Sequence, residues 1–181
     1  MLLDAAKSSL LLIDVQERLL PAMVGPEQIL ARCKILVAAA TTLGLPVTIS
    51  EQYPQGLGPT VQALTDNKAL VFEKLSFSCW RDDALKARFV TLHEGGRPLV
   101  IVAGIEAHVC VLQTCFDLAH AGFGVFAVSD AMSSRSPLSV DLATERMRSS
   151  GVEVINTEMA VFELLGKAGT AQFKELSGLI K

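Results

Sequence analysis

The sequence is poor in charge, in aromatics and in histidine. Charged residues make up 19% of the 181, aromatic residues 6%, and there are 3 histidines. A disordered chain is charge-rich and apolar-poor, so a hydrophobic content of 50% excludes disorder. With 13 Gly and 7 Pro the chain is neither collagen-like nor of low complexity. A basic excess is also missing, since 16 Lys+Arg face 19 Asp+Glu for a net charge of −3. The pI is near 5.6 and the basic residues are scattered, so nucleic acid is not an expected partner. No apolar run approaches the ~18 residues that span a bilayer. The longest, Leu10–Ile13 and Leu99–Ile105, are strand-sized. The N-terminal MLLDAAKSS lacks the basic segment and long apolar stretch of an export signal. No membrane partner is therefore expected, and the cytoplasm is. The 4 cysteines, Cys33, Cys79, Cys110 and Cys115, include no C-x-x-C pair, and free thiols are expected.

What is there is an alternation of short apolar runs with segments of helical period. The runs are Ser9–Asp14, Pro46–Glu51, Ala69–Glu73, Pro98–Ala103, Phe123–Val128 and Val152–Ile155. Within Glu27–Leu43, Ile29, Leu30, Cys33, Leu36, Val37 and Ala40 recur at helical spacing, and Gly44 is a stop signal. Asp82–Leu92, Val109–Ala121 and Pro137–Ser149 read as further helices, the last with Ser136 as N-cap. Two more are expected around Glu158–Leu165 and Thr170–Ile180. Gln52–Thr60, rich in Gly and Pro, reads as a loop. Strands that are apolar throughout, separated by helices, predict a parallel sheet covered on both faces. Right-handed crossovers make it an open, doubly wound α/β sheet. The length suits one domain over residues 1–181.

Ligands of such sheets collect at the carboxyl ends of the strands. Three of those ends hold reactive groups: Asp14 after the first strand, Lys74 after the third, and Cys110 where the fourth runs into a helix. A thiol at a helix N-terminus sits at the positive end of the dipole, which favours the thiolate, and a nearby Lys74 would add to this. Helix-start N–H groups lack intrahelical partners and suit a developing oxyanion. Asp14 suits the role of base for the thiol and acid for a leaving amine. The bland alternatives are a packing cysteine, a strand-end capping acid and a solvated lysine. Tyr53, Phe77 and Trp80 are candidate walls of a substrate pocket, with plain loop packing as the alternative for Phe77 and Trp80. His108 is a less well placed base. Zinc is disfavoured, because Cys110 and Cys115 lie roughly 140° apart on a helix. Gly56-Leu57-Gly58 is too weak a signal for a phosphate loop. Arg135 suits either a substrate carboxylate or a subunit contact.

The segments LLLIDVQ, FEKLSFSCW and VIVAGIEAHVCVLQT resemble the isochorismatase-like cysteine hydrolase family, from Ser9 to about Leu165. EQYPQGLGPT and DAMSSRS resemble its subgroup of isochorismatase-domain proteins. The resemblance implies a three-layer α/β/α Rossmann-like sandwich, with a six-stranded parallel sheet in the order 3-2-1-4-5-6. It implies a catalytic triad of Asp14, Lys74 and Cys110. It also implies a cis peptide between Ile105 and Glu106 that aims the Glu106 N–H, with that of Cys110, into an oxyanion hole. Nicotinamidases of the family place an Asp-x-His metal site after the second strand. Here that place reads Gln52-Tyr53-Pro54 and no His precedes His93, so neither a metal nor another cofactor is expected. Isochorismatases proper lack the nucleophilic cysteine that this chain keeps. The implied activity is hydrolysis of a small amide or related C–N bond through a thioester. The expected partners are a small-molecule substrate and further copies of the chain in a homo-oligomer. Two alternatives stand beside it: a non-catalytic or regulatory binding protein, and a redox-sensitive thiol protein.

Overall fold

The computed structural model describes residues 1–65 and 68–180. They form strands β1 (Ser8–Ile13), β2 (Val47–Gln52), β3 (Leu70–Lys74), β4 (Leu99–Ile105), β5 (Gly124–Ser133) and β6 (Glu153–Ile155). The helices are α1 (Pro26–Leu43), the short α2 (Pro54–Leu57), α3 (Asp83–Glu94), α4 (Leu112–His120), α5 (Pro137–Ser149), α6 (Thr157–Leu165) and α7 (Ala171–Ile180). The strands pair in parallel in the order β3-β2-β1-β4-β5-β6, as expected.

The layers follow from the two-residue period of a strand. Leu10 and Leu12 of β1 enter one core and Leu11 and Ile13 the other. In β4, Ile101, Ala103 and Ile105 join the first core, and Val100 and Val102 the second. A strand that is apolar on both sides needs helices on both. α1 and α6 close the first face through Ile29, Cys33, Leu36, Ala160 and Leu164. α3, α4 and α5 close the second through Leu85, Phe89, Cys115, Leu118 and Met147. α7 packs outside α1 and α6, with Leu176 against Ala39 and Val161. At the edge of the sheet β3 inverts the usual pattern: Leu70 and Val71 are exposed while Lys74 is buried.

Local details depart from the expected boundaries. β5 continues past Val128, where the apolar run stops, because polar residues take structural partners there. Ser129 Oγ donates to the Ile155 carbonyl at 2.9 Å, and Asp130 Oδ1 accepts from Thr157 N and Oγ1, each at 2.8 Å. The β4–β5 register jumps from Val102↔Ala127 to Gly104↔Met132. Pro54–Leu57, within the expected loop, forms the single turn α2. Ser136 occupies the N-cap of α5, but its side chain makes no capping hydrogen bond.

Candidate active site

The carboxyl ends of β1, β2, β3 and β4 meet at one rim. Asp14 follows β1 with a φ of 54°, left-handed backbone that aspartate tolerates better than most side chains. Its N–H donates to the Ser50 carbonyl at 3.0 Å, and its own carbonyl accepts from Gln16 N at 2.8 Å. The chain thus turns sharply, and the carboxylate is left fully buried. Ser50 Oγ donates to Asp14 Oδ1 at 2.7 Å and Lys74 Nζ to Oδ2 at 2.8 Å. The side chains of both Asp14 and Lys74 are 0% exposed, so the ion pair is dry. The ammonium gives a second hydrogen bond to Gln52 Oε1 at 2.7 Å.

β4 approaches β1 closely at Gly104, whose φ is 121°. A Cβ there would overlap the carbonyl oxygen of Ile13, so glycine is required for the two strand ends to lie side by side. The peptide between Ile105 and Glu106 is cis. Ala107–Val111 then form a π turn that leads into α4, and the Glu106 carbonyl accepts from Val109 N and Val111 N at 3.1 and 3.2 Å. Cys110 lies inside this turn, 6% exposed, near enough to Asp14 and Lys74 for both charges to act on its thiol. The structure therefore brings Asp14, Lys74 and Cys110 together.

The electrostatics of the thiol differ from those expected of a helix-start cysteine. The turn begins at Ala107, so Cys110 is already inside it. Burial pushes the thiol up, the Asp14 charge pushes it further, and the Lys74 ammonium opposes them without prevailing. Burial likewise raises Asp14 above the ordinary carboxylate value, against the pull of Lys74 and Ser50. Burial alone would lower Lys74, but the neighbouring Asp14, Cys79 and Cys110 outweigh it and hold the ammonium above its ordinary value. These directions favour a protonated thiol beside the Asp14–Lys74 pair.

The remaining candidates are dispersed. Beside Lys74 opens a cavity of about 500 Å³, bounded by Tyr53, Pro54, Gln55, Leu75, Arg81 and Asp83 among others. Tyr53 is thus at its wall. Phe77 and Trp80 are not: Phe77 is 53% exposed, and Trp80 packs edge-on against Phe123 with ring centroids 5.6 Å apart. Neither Asp14 nor Cys110 borders the cavity, so Lys74 is the residue it shares with the ion pair. His108 Nδ1 shares a hydrogen bond with Ser134 Oγ at 2.9 Å. Arg135 Nε donates to Glu106 Oε2 at 3.0 Å, bracing the loop after β4 against the end of β5. Among the described residues, no three His, Cys, Asp or Glu side chains converge as metal ligands would. Sequence reasoning passed over Gln16, Ser50 and Gln52. The available signal was a run of polar residues, Ser50, Glu51 and Gln52, closing a buried strand.

Known proteins share this arrangement of the chain. The Isochorismatase domain profile matches residues 8–159. Secreted isochorismatase effector Isc1 of Phytophthora sojae is 37% identical over 179 residues, covering 96% of this chain and 84% of its own length. Isochorismatase domain-containing protein 1 of Salmo salar is 40% identical over 169 residues, or 93% of this chain, but the match spans 59% of that protein's own length. Among solved structures, MAR1 ribonuclease from Caenorhabditis elegans matches with a TM-score of 0.91 at 33% identity, covering 99% of this chain and 92% of that one. The chain belongs to the isochorismatase family and has its hydrolase fold.

Proposed function

We propose that the chain, as one domain, is a cysteine hydrolase that cleaves a small amide or related C–N bond through a thioester. The observation that supports it is the buried Asp14–Lys74 pair at 2.8 Å at the same rim as Cys110, whose thiol feels both charges. Asp14 takes the thiol proton as the sulfur attacks the carbonyl carbon. A carboxylate raised by burial is a better base for a thiol than an ordinary one. The N–H groups of Glu106 and Cys110 hold the oxyanion. The C–N bond then breaks, and the departing nitrogen leaves with the proton held by Asp14. Water attacks the thioester, giving up a proton to Asp14, and the sulfur leaves to regain it. Lys74 keeps Asp14 ionised before the attack and balances the charge that moves onto the sulfur.

Of the three triad residues the cavity borders Lys74 alone, with Tyr53 in its wall, so substrate held there would lie on the ammonium side of the site. The ribonuclease name of the C. elegans neighbour raises RNA as a substrate. A net charge of −3 offers no basic footprint for a polyanion, which favours the amide. Work in the cytoplasm suits four unpaired thiols. Assembly into a homo-oligomer suits the exposed Leu138 and Leu142 on α5; sedimentation equilibrium is expected to return a multiple of the 19.4 kDa chain.

The test is incubation with a panel of small amides and a short RNA, read by mass spectrometry. An acyl adduct on Cys110, and product formation abolished in a folded Cys110→Ser, are expected. Turnover retained by Cys110→Ser overturns the covalent step. Cleavage of RNA alone overturns the amide, and no adduct with no product across the panel favours a binding protein.

A further inference from the structure

Asp14 and Lys74 stand at the ends of β1 and β3, and β2 runs between them. The Lys74 side chain therefore crosses β2 to reach its partner. Ser50 and Gln52 lie two apart on β2 and so share the face it crosses. Ser50 holds the acid, and Gln52 Oε1 holds the ammonium at 2.7 Å.

The Gln52 amide is fixed from both ends. Its Nε2 donates to the Leu75 carbonyl at 2.8 Å, which directs the oxygen at Lys74. Its backbone is clamped by the Gln16 side chain. Gln16 Oε1 accepts from Gln52 N at 2.8 Å, and Gln16 Nε2 donates to the carbonyls of Gln52 and Gly58 at 3.0 and 2.6 Å. Gln16 is itself fully buried and stands two residues after Asp14. The strand end bearing the acid and the strand end bearing Gln52 are thus locked by an amide–amide pair.

We propose that Gln52 is the positioning residue of Lys74, a neutral acceptor that with Asp14 fixes two of the three ammonium N–H bonds and leaves the third for the reacting sulfur. This rests on the cysteine-hydrolase reading. Neutrality matters as much as geometry. A glutamate would accept the same hydrogen bond but would compete with Asp14 for one positive charge and leave the site one negative charge richer. The ionisable groups that act on the thiol are Asp14, Lys74 and Cys79, and those that act on the ammonium are Asp14, Cys79 and Cys110.

Alkylation tests this without any substrate. The rate at which iodoacetamide modifies Cys110 is followed by peptide mass spectrometry, from neutral to alkaline pH. The proteins are the wild type, Gln52→Glu, Gln52→Met and Lys74→Met. Gln52→Glu is expected to move the rate profile up by about one pH unit, a tenfold loss at neutral pH. Gln52→Met, which removes a hydrogen bond to a charged group, is expected to slow the reaction by about tenfold. Wild-type profiles in both Gln52 variants, with Lys74→Met altered, overturn the inference and leave the hydrolase reading in place. A Gln52→Glu in which Cys110 reacts faster, together with the buried Cys79, marks a loosened fold and a merely structural role, and overturns it too. A wild-type profile in Lys74→Met overturns the hydrolase reading itself. Should Gln52→Met fail to fold, the near-isosteric Gln52→Glu decides.

Discussion

Replacing Lys74 by methionine removes one half of an ion pair whose two side chains are both 0% exposed. Methionine fills much of the lysine stem, so the loss is chiefly electrostatic. Asp14 is left with Ser50 as its donor and no positive charge within contact. Breaking a buried pair in this way costs about 3–5 kcal/mol. The sign with pH is determined by Asp14. Its folded-state pKa is already above the unfolded value of 3.8, and loss of Lys74 raises it further. A group raised on folding contributes its stability below the unfolded pKa and loses it as pH rises through the folded one. The deficit of Lys74→Met against wild type is therefore smallest in acid. It grows by up to about 1.4 kcal/mol per pH unit between the folded-state values that Asp14 has in the wild type and in the variant, and levels off above both. Urea denaturation of both proteins at mildly acidic and mildly alkaline pH reads it directly. Adding Asp14→Asn removes the stranded charge, so the double variant should be more stable than the sum of its parts by about 2–3 kcal/mol. A deficit independent of pH, with additive single variants, would falsify the assignment of Asp14 as the charged partner of Lys74. Turnover should vanish in Lys74→Met at neutral pH, because a protonated Asp14 cannot accept the thiol proton.

Gly104→Ala should destabilise the protein by about 3 kcal/mol, since the new Cβ meets the Ile13 backbone. Gly44→Ala, at a helix end with open space around it, should cost about 1 kcal/mol in the same thermal melts. Ser50→Ala removes a donor that lowers Asp14, so the acid limb of kcat/KM should move up by about one to two pH units, with Ser50→Thr restoring it. Cys79, pushed up to about 11 by burial, should stay unalkylated at pH 8 in the folded protein and react once urea unfolds it.

The frame was legible because burial on two faces writes itself as unbroken apolar runs. LLLI in β1 and LVIVA in β4 read as central strands, and the sheet has them at its centre. Asp14, Lys74 and Cys110 were legible by place, as the reactive groups at strand ends. Gln16, Ser50 and Gln52 were not, because a polar side chain in a strand shows its partner only when the neighbouring strand is known. Where Phe77 and Trp80 lie is set by the turn after Lys74, which the sequence does not show. They follow Lys74 in the chain, but the turn Cys79–Arg81 carries Trp80 over to Phe123.

The surroundings of the thiol differ from those of an isolated helix-start cysteine, and the difference bears on its chemistry. A dipole argument counts the helix that follows Cys110 in the chain. The larger influences, burial and the carboxylate beside it, come from folding. Because the thiolate is the reactive form, a buried thiol held protonated is a poor target for oxidants. In the hydrolysis proposed above it ionises as attack on a carbonyl moves charge from sulfur to an oxyanion. Proton transfer to Asp14 and bond formation are then coupled, and the resting thiol is protected. That weighs against Cys110 as a redox sensor, which needs a thiol ionised at rest. Hydrogen peroxide should therefore oxidise Cys110 more slowly than it oxidises free glutathione at neutral pH. Oxidation faster than that of glutathione would require a standing thiolate, and with it a site wetter or more positive than the one built by Asp14, Lys74 and Gln52.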